Sequence, residues 1–157
     1  MNNIALLVES LREGYDKKSW HGVNLRGSLR ALSAKDAAWR PGKGRHNIWE
    51  IAVHCAYWKY IVRRRLTGEK RGSFPLKGSN WYLRPERTTA DAWKRDLHLL
   101  HDAHRALVLA VAELKSSALE DRPAGNRATN RAMIAGIAMH DVYHAGQIQI
   151  IRRLRRG

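Results

Sequence analysis

The sequence of residues 47–68 is NIWEIAVHCAYWKYIVRRRLTG, and this stretch indicates the class of fold. The Asn47 side chain can accept a hydrogen bond from a free amide at a helix start, and Glu50 can reach back to the Asn47 amide in a capping box. Apolar residues then recur at helical spacing, and Gly68 suits the end of a helix. They are Ile48, Ile51, Cys55, Trp58, Ile61, Val62 and Leu66. The pattern predicts an amphipathic helix whose apolar stripe is interrupted by His54.

Three further stretches have helical periodicity, and loops rich in proline and glycine separate them. The first extends over about 3–32, the second begins at Thr88 or Thr89 and ends near residue 115, and the last extends from about Thr129 to the C-terminus. We expect the last helix to direct these residues toward the core: Met133, Ile137, Ile148, Ile151 and Leu154. No stretch shows the alternation typical of strands. The sequence therefore predicts an all-α four-helix bundle, with a long crossover between helices 2 and 3.

The composition restricts the class of protein. The chain has 157 residues, 44% of them hydrophobic, and a formal net charge of +15. These values predict a single folded domain over 1–157 rather than a disordered chain. The longest apolar runs, 106–112 and 133–139, are far shorter than the roughly 20 residues that cross a bilayer, so we expect no membrane association. The first ten residues do not resemble a signal peptide, which predicts a cytoplasmic location.

Three histidines are candidates for a metal site. His140 and His144 are four residues apart, so both project from one side of the last helix, and His54 interrupts the apolar face of another helix. Three neutral imidazoles suit zinc, nickel, iron or copper and leave coordination positions open for water or substrate. The alternative is that each is a core histidine with ordinary hydrogen-bond partners. Cys55 follows His54 but points about 100° away around the helix, so we interpret it as a packed free thiol.

The run HDVYHAGQI at 140–148 resembles the DinB/YfiT-like metalloenzyme family, in particular the branch with the signature HDxYHAGQI in its last helix. The tryptophan-rich helix with the single histidine His54 is also similar to that family, and the resemblance covers nearly the whole chain. It implies a four-helix bundle that binds a divalent metal, commonly nickel or zinc, through His54, His140 and His144. It also implies a homodimer, since many members of the family are dimers.

The resemblance further implies an activity. Characterised relatives include thiol-dependent S-transferases and a maleylpyruvate isomerase that uses low-molecular-weight thiols. We therefore expect a metal-dependent transferase or hydrolase with a small-molecule substrate, in which the metal lowers the pKa of a bound water or thiol. Three polar residues near the histidines can orient ligands or substrate, and Gln147 is better placed than Tyr143 or Asp141. The alternatives are helix packing for Tyr143 and a solvated helix surface for Asp141.

A second histidine set lies in the third helix, where His98, His101 and His104 occur at three-residue spacing. His98 and His104 diverge by well over a right angle around the helix axis, so a single site that uses all three is not expected. His104 alone lies near the apolar face, where it can be a substrate-side residue or one that supports a ligand. We expect the remaining two histidines to be surface residues: His21 and His46.

The basic clusters at 63–65, 70–71 and 152–156 raise the alternative of nucleic-acid binding. No DNA-binding or RNA-binding motif accompanies them, so a solvated basic surface is the favoured interpretation, and an anionic substrate or acidic partner could also use the charge. A further alternative is a bundle that binds a metal or ligand without catalysis. The loop 71–87 contains Phe74, Trp81 and Tyr82 and could cover one end of the bundle and shape a pocket.

Overall fold

The computed structural model describes residues 3–157 and consists of helices joined by loops. Apart from one antiparallel bridge between Ser19 and Gly22, the described residues contain no β-structure. The six α-helices are α1 (Asn3–Tyr15), α2 (Leu25–Leu29), α3 (Ala34–Ala38), α4 (Ile48–Thr67), α5 (Ala90–Ala112) and α6 (Asn130–Arg156), and a 3-10 helix spans Ser116–Glu120. None of these helices is both long and apolar enough to cross a bilayer.

The four long helices form the bundle. Around it, α4 packs on α5, α5 on α1, α1 on α6 and α6 on α4. The chain between α4 and α5, residues 68–89, is the long crossover, so the predicted all-α four-helix bundle is confirmed. Gly14 allows α1 and α6 to approach closely, because a Cβ at this position would lie 2.9 Å from the backbone oxygen of Ala138.

Local sequence signals account for where α4 begins and ends. The Asn47 side chain accepts from the Glu50 amide at 2.7 Å, and the Glu50 carboxylate accepts from the Asn47 amide, which completes the predicted capping box. The helix ends at Gly68, whose φ of 70° lies in the left-handed region that glycine adopts without a steric penalty. Thr89 and Thr129 cap α5 and α6 through their hydroxyl oxygens.

Two expectations from periodicity are wrong. The helix predicted over 3–32 stops at Tyr15, because the chain turns at Gly22, where φ is 106°, and two short helices follow with Asn24 and Ser33 as their N-caps. Leu154 was expected in the core but is 59% exposed. It lines a surface cavity instead, together with the residues described next.

Candidate metal centre

Helices α4 and α6 bring the three predicted histidines together. Nε2 of His140 lies 3.1 Å from Nε2 of His54 and 3.1 Å from Nε2 of His144. His54 and His144 are buried and His140 is partly buried. The three nitrogen atoms converge on one point although His54 and His140 are 86 residues apart in the chain. Three imidazoles that bind one metal ion need such a convergence.

In two of the rings, Nδ1 faces away from the other histidines and contacts a hydrogen-bond acceptor. This contact determines which ring nitrogen carries the proton. Nδ1 of His54 lies 2.9 Å from the backbone oxygen of Asn80, which can only accept, so Nδ1 is the donor. Nδ1 of His144 lies 2.7 Å from Oε1 of Gln147, whose amide nitrogen donates to the Tyr143 hydroxyl at 3.0 Å. In both rings the lone pair is therefore on Nε2 and points at the other histidines.

Asn80 has a backbone conformation suited to this contact. Its φ of 64° lies in the left-handed region, which asparagine tolerates better than most residues with a Cβ. Its side-chain oxygen also accepts from the indole nitrogen of Trp58 at 2.8 Å. The crossover loop thus holds His54 through a backbone carbonyl, and the side chain beside that carbonyl is anchored to α4.

The donor set fits a divalent ion. The Nε2 lone pairs of His54 and His144 point at Nε2 of His140, which lies 3.1 Å from each, and a single cation between the three nitrogens can bind all of them. Zinc–nitrogen bonds of 2.0–2.1 Å in a tetrahedral arrangement place the nitrogens about 3.3 Å apart, close to the spacing here. Nδ1 of His140 is buried and has no hydrogen-bond partner within the described chain. The group His54, His140 and His144 can therefore hold a metal ion.

Burial keeps these rings neutral. Desolvation and, to a smaller extent, the neighbouring histidines lower the pKa of His140 to about 3. Desolvation also lowers the pKa of His144, to about 4, against the opposing effect of the hydrogen bond that its Nδ1 donates to Gln147. The pKa of His54 is lowered for the same first reason. Neutral imidazole is the form that binds metal, so the environment favours the ligating state near neutral pH.

An aromatic stack extends from the histidines to the cavity mouth. The indole ring of Trp81 lies parallel to His54, with centroids 3.8 Å apart, and parallel to His46, with centroids 3.6 Å apart. Nδ1 of His46 also lies 3.0 Å from the Glu50 carboxylate, which a guanidinium from Arg40 pairs as well. His46 is exposed, as predicted, but its stacking was missed because nothing in its local sequence indicates a partner 35 positions away.

The three histidines lie at a cavity of about 1010 Å³ between α4, α6 and two loops. The crossover loop contributes Asn80 and Trp81, in agreement with the expectation that it shapes a pocket. Apolar side chains form most of the remaining wall: Pro41, Ile51, Trp58, Ile150, Ile151 and Leu154. Tyr143 and Gln147 lie at the same cavity, and Arg45 also lines it.

Asp141 is not among the residues that line this cavity. Its carboxylate is fully buried and pairs with the ammonium of Lys59, which is also fully buried, so the alternative of a solvated helix surface is wrong. The Cys55 sulfur, a His140 ring nitrogen and an Asp141 oxygen lie within 4.8 Å of one another. Burial raises the pKa of Cys55 well above its usual value, and metals bind the thiolate, so this second group fits an ion less well. Cys55 is a buried free thiol, as expected.

The histidines of the second set, His98, His101 and His104, do not converge in the fold. His104 is buried and stacks on Tyr15 with ring centroids 4.0 Å apart, while its Nδ1 lies 3.4 Å from Nζ of Lys59. His98 and His101 line a different cavity, beside the segment that contains α2. Within residues 3–157, these three histidines form no group that could share a metal ion.

Some residues of the basic clusters make contacts within the fold. Arg155 pairs with Asp36 at 2.7 Å, and Arg152 donates to the backbone oxygens of Ser28 and Arg30, so the end of α6 holds the segment of α2 and α3. Arg63 pairs with Glu69 at 2.6 Å. Internal partners therefore account for a share of the cationic side chains that suggested a nucleic-acid surface.

Comparisons with known proteins agree with this architecture. A family model described as the DinB superfamily matches residues 19–148. Among solved structures, the chain is similar to a conserved protein from Enterococcus faecalis, with a TM-score of 0.64 and 16% sequence identity. That similarity covers 98% of this chain and 97% of the other, and at this identity it concerns the fold alone. No curated protein matches the sequence.

Proposed function

Because the chain belongs to the DinB superfamily, we propose that it is a divalent-metal-dependent enzyme whose ligands are His54, His140 and His144. The observation that carries the proposal is the convergence of three Nε2 atoms at 3.1 Å, with Nδ1 of two rings already engaged elsewhere. Nickel and zinc are the favoured ions, because members of this family commonly bind one of the two and neutral imidazoles suit both. The cavity beside the histidines has room for a small-molecule substrate.

The favoured reaction is transfer of a low-molecular-weight thiol to an electrophile, with metal-assisted hydrolysis as the second candidate. A divalent ion supplies a Lewis acid that lowers the pKa of a thiol or water entering the site. Gln147 and Asn80 orient His144 and His54 through their Nδ1 atoms. The Tyr143 hydroxyl, whose oxygen accepts from Gln147, keeps its hydrogen available for substrate. The apolar walls limit the water that reaches the reacting groups.

Elemental analysis of purified protein is the direct test of the metal centre. We expect about one divalent ion per chain in the wild type and loss of most of it in His144→Ala, since two imidazoles bind an ion much more weakly than three. His21→Ala is the matched control, because His21 is exposed and outside the cavity. A wild type without metal after incubation with nickel or zinc, or equal metal in all three proteins, contradicts the proposal.

Turnover separates an enzyme from a bundle that only binds. The assay combines metal-loaded protein with a low-molecular-weight thiol and an aryl halide electrophile, and follows thioether formation. We expect turnover in the wild type, and its loss in His54→Ala. Metal binding without turnover, across thiol-transfer and hydrolysis substrates alike, would favour the alternative of a non-catalytic bundle.

A homodimer is also part of the proposal. Along α6, Met139, Tyr143 and Ile150 are large apolar or aromatic residues that are 69%, 64% and 59% exposed. They recur at spacings of four and seven, which makes a stripe on one side of the helix suited to a second copy, and such a copy would border the cavity because Tyr143 and Ile150 also line it. Light scattering after size-exclusion chromatography should give twice the chain mass, and Met139→Glu should shift it toward the monomer.

A further inference from the structure

The polar atoms around the candidate metal centre are engaged mainly as acceptors. The backbone and side-chain oxygens of Asn80 accept from His54 and Trp58, and Oε1 of Gln147 accepts from His144. What these groups still offer to a ligand is hydrogen-bond donors: the side-chain amide nitrogen of Asn80, the second amide hydrogen of Gln147, whose first is donated to Tyr143, and the hydroxyl hydrogen of Tyr143. The lining therefore matches a ligand that is rich in acceptors.

The charged residues at the cavity also favour a ligand that is rich in acceptors. Among the described residues that line the cavity, Arg45 carries a permanent positive charge and there is no carboxylate. Glu50 lies behind His46 but is only 3% exposed, and its two oxygens receive Arg40, His46 and the Asn47 amide. Its negative charge is thus already compensated within the fold. Neutral imidazoles add no negative charge either, so a metal ion here would leave the cavity more positive.

The rest of the wall is apolar and extends away from the histidines. Ile150 and Leu154 continue along α6 beyond His144, and Ile51 and Ile151 face the same cavity. A hydrocarbon part of a ligand is stabilised by the apolar surface that it buries on such a wall. A ligand that is charged throughout would leave this surface unused.

We propose that the substrate of this cavity is an organic anion with an apolar body, such as a carboxylate on a hydrocarbon chain, and that Arg45 is a specificity-determining residue for its charge. The inference rests on the proposed function, because it names the substrate class of that same site. Binding can nevertheless be measured without turnover and without metal.

Isothermal titration calorimetry with three probes of equal chain length tests the proposal: octanoate, octan-1-ol and octylammonium. The titrations use zinc-loaded protein and protein stripped with a chelator, at 0.15 M salt (about physiological) to screen the overall charge. We expect octanoate to bind about tenfold more tightly than octylammonium in both forms. Arg45→Gln should weaken octanoate about threefold to fivefold, as for a partly exposed charge pair, and leave octan-1-ol within about twofold.

Lys43→Gln is the matched control, since it removes the same charge from the same loop while Lys43 does not line the cavity. Equal binding of octylammonium and octanoate overturns the proposal, and so does an equal loss of octanoate affinity in both variants, which would reflect net charge alone. The metal content of each sample distinguishes the two proposals. A protein that never holds metal yet prefers octanoate contradicts the metal centre only, and a metal-loaded protein without the preference contradicts the anion pocket only.

Discussion

Two polar regions lie side by side in this bundle, and their histidines have different partners. In the candidate metal centre, the Nε2 atoms of His54, His140 and His144 face one another beside an open cavity. Deeper inside, His104 belongs to a cluster to which each long helix contributes one residue. That buried cluster consists of Tyr15 from α1, Lys59 from α4, His104 from α5 and Asp141 from α6.

The difference between the regions is where the cation comes from. In the buried cluster the chain supplies it, since the Lys59 ammonium lies 3.4 Å from Nδ1 of His104, pairs with Asp141, and lies 5.1 Å from the centre of the Tyr15 ring. Burial and the Lys59 charge together lower the pKa of His104 to about 2. Among the described residues, no lysine or arginine side chain hydrogen-bonds to the three clustered histidines. That region can instead hold a cation from solution.

The largest expected effect comes from removing the internal cation. Lys59→Met leaves the Asp141 carboxylate buried without its partner, which should lower the free energy of unfolding by about 3–5 kcal/mol. Replacing both partners, as in Lys59→Met with Asp141→Leu, should recover most of that loss because no charge stays buried. Urea denaturation measures both. A double variant no more stable than the single one would show that the ion pair is not what Lys59 contributes.

A somewhat smaller effect is expected from pH on the metal-free protein. The pKa of His104 is about 2 in the folded state, far below the ordinary value of about 6.5 that applies in the unfolded chain. The unfolded state therefore binds more protons below pH 6.5, so stability is full above that pH and falls as the pH decreases toward 2. His104→Phe, which keeps a ring beside Tyr15, should make the decline less steep by about 1.4 kcal/mol per pH unit between pH 6 and 4. Identical slopes would contradict a neutral buried His104.

The smallest effect concerns the support of a ligand rather than the ligand itself. Gln147→Ala removes the acceptor that holds Nδ1 of His144, which should weaken metal binding about tenfold to a hundredfold while leaving urea stability of the metal-free protein nearly unchanged. Gln149→Ala on the same helix is the control, since Gln149 lines a different cavity. Competition with a chromophoric chelator gives the affinities. Equal affinities in the two variants would show that the contact with Gln147 does not support the metal.

Local signals predicted what depends on neighbours in sequence. Asn47 with Glu50 placed the start of α4, and Thr129 placed the start of α6, because capping is decided within three or four residues. The face shared by His140 and His144 followed from the helical repeat. The repeat was misleading in residues 16–24, where Gly22 turns the chain although leucines recur on both sides.

Contacts between distant residues were beyond such signals. Lys59 and Asp141 are 82 residues apart, and a charged residue on a helix is ordinarily assigned to the surface. One indication was present. Lys59 lies within the run AYWKYIV, whose other residues are apolar or aromatic, and this suggests that the surroundings of its side chain are buried. Asn80 and His46 gave no comparable indication, since their roles follow from the path of the crossover loop and from its stacking on α4.

The stacking of Trp81 on His54 has a spectroscopic consequence. An indole 3.8 Å from the ring of His54, a proposed ligand, is close enough for its emission to respond to the electronic state of an ion that binds there. Zinc has a filled d shell and no redox chemistry, whereas nickel and copper have open d shells that quench nearby fluorophores. The difference in emission between the wild type and Trp81→Phe isolates this one indole from the other five tryptophans. If the proposed metal centre is correct, this indole would act as an intrinsic optical probe that distinguishes zinc from open-shell metals during titration, without a label.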